Sequence, residues 1–224
     1  MKVISLIITD VADLPGEICV AGWCAEERRL LRPRLAASGA VWTEELAGPH
    51  LFEMGNVVRL KTAEPAGERG LPFAREDVAV AVVPELVGTL GRYPLLAALR
   101  PSESPSVAAL FGAALRDGHP QCDGYHVMAG DDCPSLGAVE VRAGAQMSFD
   151  DGPRGVVCRF VDASDASYAL PVASHPLRRL HAERGAGALN DLAGGHRRAH
   201  IRLGALPPDA DGRVRIAVTN ILFY

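Results

Sequence analysis

Between Lys2 and Pro33 the hydrophobic positions fall into three short runs separated by polar turns. Val3-Ile4-Ser5-Leu6-Ile7-Ile8-Thr9 is a β-branched run of strand length. Asp13-Leu14-Pro15-Gly16 places proline beside glycine, a turn signal. Ile18-Cys19-Val20-Ala21 leads into Gly22 and Trp23, and Leu30-Leu31-Arg32-Pro33 is the third segment. The reading is an antiparallel meander that opens a small barrel. Val57-Val58-Arg59-Leu60-Lys61 alternates as a further strand, with Gly55 bending the wall before it, and Val78–Val83 is expected to close the barrel. Ala37-Ser38-Gly39, Ala47-Gly48-Pro49 and Glu64–Pro72 read as loops.

The pattern changes after Pro84. Leu86, Val87, Leu90, Leu95, Leu96 and Leu99 have helical spacing, broken by Gly91 and Pro94. Ser104-Pro105-Ser106 predicts a helix start, Val107, Leu110, Phe111, Ala114 and Leu115 its apolar face, and Gly118 its end. From Tyr125 strands return: Leu136–Val141, Val156–Val161 after an Asp150-Asp151-Gly152 turn, and Tyr168–Val172 beyond a tight hairpin. A helix over Pro176–Leu192 is weakened by Gly185 and Gly187. His200–Gly204 and Val214–Val218 form a last pair around Asp211-Gly212. The expected organisation is a first OB-like barrel over 1–84, a helical connector over 85–124, and a second OB-like barrel with an inserted helical segment over 125–224. The fold class is mainly β with minor α.

Strand one followed by Gly16-Glu17-Ile18-Cys19-Val20-Ala21-Gly22 and then Arg32-Pro33 resembles the N-terminal signature of the dual OB-containing domain family. These are bacterial proteins with two OB barrels in one chain, often encoded beside defence or mobile-element genes. Phe52–Leu60, Glu76–Val78 and the strand–strand–strand–helix–strand pair order of the second half resemble the family more loosely. The resemblance implies two barrels and a presumed role in binding nucleic acid or a nucleotide.

Composition narrows the rest. A chain of 224 residues, 48% hydrophobic and 22% charged, is ordinary for a globular protein with a real core. No apolar run approaches the ~18 residues of a membrane span. Asp10 and Asp13 interrupt the N-terminal apolar run too early for a signal peptide, so a cytoplasmic protein with no membrane is expected. Five cysteines then read as free thiols. The net charge of −4 excludes a wholly basic surface. Charge is uneven, however: six arginines between His175 and Arg202 face only Glu183 and Asp191, a local +4, whereas residues 1–174 hold 15 Lys/Arg against 23 Asp/Glu, or −8.

Two sets of side chains are candidates for contacting single-stranded nucleic acid. Arg28, Arg29, Arg32 and Arg34 lie between Trp23 and Trp42, and OB barrels combine aromatic stacking with cations for the backbone. The competing reading packs both tryptophans in the core and pairs the arginines with Glu26, Glu27, Glu44 and Glu45. Arg178, Arg179, Arg197, Arg198 and Arg202, with His181, Arg184, His196 and His200 among them, are either a phosphate-contacting surface or a solvated helix face. Cys122, His126 and Cys133, with His119 nearby, are zinc-ligand types, but they lack the paired C-x-x-C spacing, so no metal is assigned. Asp131-Asp132 and Asp150-Asp151 have the carboxylates of a Mg²⁺ site but read more simply as acidic turns. No phosphate loop or dinucleotide fingerprint is present. The expectation is a non-enzymatic module without cofactor that binds single-stranded nucleic acid or a nucleotide. The alternatives are a protein-binding adaptor or, third, a metal-dependent nuclease.

Overall fold

A computed structural model describes residues 2–14, 17–36, 42, 50–63, 76–118, 124–153 and 155–224. The loops predicted at 37–39, 47–49 and 64–72, and His119, Cys122, Glu44 and Glu45, lie outside the described residues. The protein is mainly β, as the alternation predicts, and its contacts divide it into two compact units meeting in sequence at Ser102 and Glu103.

The first unit is built on β1 (Val3–Leu14), β2 (Glu17–Cys24), β3 (Arg29–Leu35), β4 (Asn56–Lys61), β5 (Asp77–Val80) and β6 (Glu85–Thr89), followed by α1 (Arg92–Leu99). β1 serves two neighbours. Residues 3–7 pair with β4, and 7–14 pair with β2 through a register shift between Ile8 and Asp10. That bulge bends the strand so that one sheet curls on itself. Gly22 lies across the bend, where an added Cβ would stand 2.4 Å from the Ile7 carbonyl oxygen. β3 runs parallel to β5, and Val80 bridges Thr62 just past β4. Ala63 N–H to Ala79 O at 2.8 Å and Ala81 N–H to Lys61 O at 3.0 Å complete the join. The strands therefore close as a ring in the order β1-β2-β3-β5-β4. Ile4, Leu6, Ile8, Val20, Leu31, Val58, Leu60 and Val80 fill it, each burial contributing about 1.5–3 kcal/mol.

Glu85–Thr89, where leucine spacing predicts helix, is instead an edge strand on β4. The unpaired edge of β4 supplies hydrogen-bond partners that outweigh a weak local preference. A register shift leaves Val87 as a bulge there.

The second unit contains β7 (Glu103–Ser104), α2 (Val107–Phe111), β8 (Arg116–Asp117), β9 (Tyr125–Met128), β10 (Leu136–Arg142), β11 (Met147–Gly152), β12 (Gly155–Val161), β13 (Ser167–Pro171), α3 (His175–Gly194), β14 (Arg198–Ala205) and β15 (Arg213–Phe223). Ser106 caps α2, its hydroxyl accepting from Ala109 N–H at 3.0 Å. The helix stops well before Gly118, because Gly112 takes φ +59°. Asp162 ties the β12–β13 hairpin to this helix, accepting from Val107 N–H at 2.9 Å. β10 and β11 are the halves of one strand path, broken by a short 3-10 turn at Gly144–Gln146 with Gly144 at φ +69°. β10 pairs with β14, β11 with β12, β12 with β13, and β14 with β15. Val172 bridges Val218 in parallel, and Ala173 and Ser174 N–H groups both donate to Val218 O. The ring order is thus that of the first unit, with β10–β11 in the place of β1. Asp150 and Asp151, which read as a turn, continue β11.

α3 is kinked where Gly185 adopts φ 74°, ψ 177°. Leu177, Leu189 and Ala193 are its buried positions. Asn190 reaches β11, accepting from Phe149 N–H at 2.8 Å and donating to Phe149 O at 2.9 Å. A side-chain amide thereby satisfies backbone groups that an edge strand leaves open.

Candidate functional site

In the first unit, Trp42 is fully buried, its Nε1–H donating to Pro33 O at 3.0 Å and its ring packed on Phe52 at 5.1 Å. Trp23 is 6% exposed. Arg28 is exposed at the β2–β3 turn with φ 52°, and Arg29 pairs with Glu27 at 2.8 Å. Lys2 also binds Glu27, and first Lys2, then Arg29, holds that carboxyl below its ordinary range. Arg32 is 3% exposed, and its Nη1 lies 3.2 Å from Asp77 Oδ1. Arg34 Nε lies 2.7 Å from Asp77 Oδ2. The parallel register sets Arg32 opposite Asp77, so two guanidiniums of β3 grip one carboxylate of β5 across the closing seam.

Alternation assigns these residues to the outer face. Ile18, Val20, Cys24 and Leu31 point into the core, leaving Cys19, Ala21, Trp23 and Arg32 outside, beside Asp10 and Ala12 of β1. Asp10, Ala12, Ala21, Trp23 and Arg32 are nevertheless all buried. Burial also pushes up the Cys19 thiol, against the opposing pull of Arg32 and Arg34. The face has aromatic and cationic residues but no open floor.

Of the five candidate C-terminal arginines, four are exposed and one is buried. Arg178 and Arg179 are exposed on α3, and Arg179 pairs with Glu183 one turn on at 3.0 Å. Arg197 is exposed, and Arg198 binds Glu140 at 2.5 Å. Arg202 has no solvent exposure, opposite Ala138 and Asn220 in its strand ladder. His200, equally buried, has Nδ1 2.8 Å from Glu103 Oε1.

Among the described residues no group of three or more His, Cys, Asp or Glu is arranged to hold a metal ion. Asp131 binds Arg116 and accepts from Met128 N–H. Asp150 pairs with Arg159, and Asp151 with His181, both at 2.6 Å.

An open groove of about 930 Å³ runs over the outer face of β11, β12 and β13. Val156, Cys158 and Phe160 point inward, which turns Val157, Arg159 and Val161 outward. On β13 the same rule turns Ser167, Ala169 and Pro171 outward. Val157, Ala169 and Pro171 line an apolar floor with small side chains. Asp117, Gly118, Gly124 and Tyr125 form a wall from β8 and β9. This wall stands close to β13. Gly124 has φ +55°, and an added Cβ would lie 3.0 Å from Ala169 O, so only glycine fits both demands. Tyr125 donates to Ser167 O at 3.4 Å, and its ring tilts on Tyr168 at 4.8 Å. Tyr168 in turn stacks on Phe160 at 5.6 Å, rooting the wall in the core. Burial, then Asp117, pushes the Tyr125 phenol up. Among the described residues the lining carries Asp117, Asp150 and Asp151 against Arg159 and Arg215.

Arg159, Arg215 and Tyr125 are the groove residues that motif reasoning passes over. The alternation of Val156–Val161 and of Val214–Val218, which turns Arg159 and Arg215 outward, is their signal in the sequence. No protein-family model matches the chain, and no curated protein matches it.

Proposed function

We propose that this chain is a non-enzymatic, cytoplasmic binding protein of the dual-OB type, and that its second barrel takes single-stranded nucleic acid or a nucleotide in the groove over β11–β13. The observation that carries this reading is the open groove itself. OB barrels bind their ligands on the face of their early strands, and β11, β12 and β13 hold that place in the second ring. The five-strand closure with one parallel join, repeated in both units, supports the OB assignment. The resemblance of the opening meander supports a bacterial defence or mobile-element setting. Arg159 and Arg215 supply donors for phosphate, and Tyr125 with the Val157–Ala169–Pro171 floor supplies surface for a base.

Fluorescence anisotropy of a labelled single strand at low salt tests this. Binding that weakens in Arg159→Gln and Arg215→Gln, with unchanged thermal stability, is the expected result. An affinity that both variants leave intact would move the site elsewhere.

A protein-binding adaptor is the second reading, and one observation favours it. In the first unit Val82, Val83, Leu86, Val87 and Tyr93 are all exposed, an apolar grouping of the kind that marks interaction surfaces. A pull-down that recovers one stoichiometric protein and no nucleic acid would select it.

A further inference from the structure

We infer that a phosphate binds on the outer face of β8, β9 and β15, over His126, with Arg215 on one side of it and Arg116 on the other. The inference rests on the nucleotide reading of the groove only for the source of that phosphate. Strand register makes the row. Arg116 of β8 stands opposite His126 of β9, and His126 stands opposite Arg215 of β15. Val127 and Val214 are buried in the core, so His126 and Arg215, each one residue along its strand, turn outward. Basic side chains at three successive cross-strand positions do not stabilise a sheet, because like charges directly opposite repel. An anion over the middle position turns that repulsion into attraction.

The imidazole supplies the second observation. His126 Nδ1 is buried, and among the described residues it has no hydrogen-bond partner. A buried polar atom in that state calls for an explanation. With no acceptor at Nδ1, the proton of the neutral ring belongs on Nε2, and Nε2–H becomes the donor that the ring offers a ligand. Two carboxylates near the row are engaged locally. Asp131 binds both terminal nitrogens of Arg116 and accepts from Met128 N–H at 2.7 Å. Asp209 accepts from the N–H groups of Asp211 and Arg213 at 3.0 and 2.9 Å. Arg116 thus steadies one end of the row, and Arg215 and His126 make the direct contacts, the guanidinium as a charge-assisted donor. Arg215 also lines the groove. A nucleotide seated there can pass its phosphate from the groove to His126 along one side chain.

Histidine-ring ¹⁵N spectra of the full chain test this, with the His126 signal assigned through His126→Gln. One titration uses inorganic phosphate and the other an 8-mer of thymidine. Both should move the His126 Nε2 signal, and Arg215→Gln should raise each dissociation constant read from that shift by about tenfold. Fluorescence anisotropy of the labelled 8-mer at pH 8 separates the two contacts. Arg215→Gln should flatten the log–log salt slope by about 0.7, one phosphate's share on a single strand. His126→Gln should weaken binding by about fivefold and leave the slope alone, because a neutral imidazole releases no counterion. A purely structural His126 would change thermal stability without a ligand-dependent Nε2 shift. Binding of the 8-mer that leaves the His126 signal in place would overturn the inference and keep the groove reading. A shift with inorganic phosphate and no 8-mer binding would keep the phosphate site and remove the nucleotide reading of the groove. No shift with either ligand and no change in anisotropy would remove both.

Discussion

The two barrels close their strands in the same order, yet they treat one face oppositely. In the first, the outer face of β1–β2–β3 holds Trp23, Arg32 and Asp10 out of contact with water. In the second, the corresponding face of β11–β12–β13 is an open groove with small floor residues. Arg32 and Arg34 lie against Asp77 along the first barrel's parallel seam, whereas the Arg116–Asp131 and Arg159–Asp150 pairs lie at the second barrel's surface. Topology repeated along one chain therefore does not repeat the surface it presents. Side-chain size and burial at the outward positions decide which copy keeps an open groove.

The sharpest way to break this comparison is to disrupt the sealed barrel. Trp42→Ala removes a fully buried indole packed on Phe52 and should cost about 3–5 kcal/mol. Arg32→Ala leaves Asp77 with a diminished partner set in a buried seam and should cost about 3 kcal/mol. Both are read from urea midpoints at constant m-value. If Arg32→Ala leaves stability within about 0.5 kcal/mol and lowers nucleotide affinity instead, the first barrel's face is a binding face and the contrast collapses.

The open barrel should respond in the opposite sense. Ala169→Asp puts a carboxylate on the apolar groove floor and should weaken anionic ligands by about tenfold or more, while the urea midpoint moves little, because the position faces outward. A large stability loss without an affinity change would show that the floor is part of the core. Chemical labelling sharpens the same contrast between inside and outside. The Cys158 thiol, fully buried on the inner side of β12, is pushed far up by burial alone. It should react with a thiol reagent only after global unfolding, so its rate measures the opening of the second barrel.

Much of the architecture is legible in the sequence, for a physical reason. β12 alternates throughout, and β1, β2 and β15 alternate over their first residues, because one side of each faces a core. What alternation cannot encode is the environment of the other side. It places Trp23 and Arg32 together on one face, as a nucleic-acid surface requires, and equally on a face that is sealed. β6 and β11 escape for a different reason. Leu86, Val87 and Leu90 have helical spacing, and Asp150-Asp151-Gly152 has turn chemistry, but a neighbouring strand's free hydrogen-bonding edge decides both. The groove is harder still. Asp117, Tyr125, Arg159, Ala169 and Arg215 come from five strands, and no local motif contains more than one of them.

The smallest expected effect concerns the groove's wall. Arg116 and Asp131 join β8 to the turn after β9, and between them stand the strands that carry Asp117 and Tyr125. The Arg116 guanidinium, then the Met128 N–H, holds the Asp131 carboxyl below its ordinary range. A carboxyl whose folded pKa is depressed stabilises the fold above its unfolded pKa, ~3.9 for an aspartate. That contribution disappears as pH falls through the lower folded value. Stability measured from pH 5 downward should therefore include a term that Asp131→Asn removes, so the variant's curve is flatter on the acid side and nearly parallel to the parent above pH 5. The exposed setting of Arg116 keeps the effect small. Ligand affinity should follow it, because the pair joins the strands that carry Asp117 and Tyr125. An Asp131→Asn curve that keeps the parent's full acid slope would mean that this ion pair does not hold the wall. Tyr125's ring contact with Tyr168 would then be the feature that keeps the second barrel's face open.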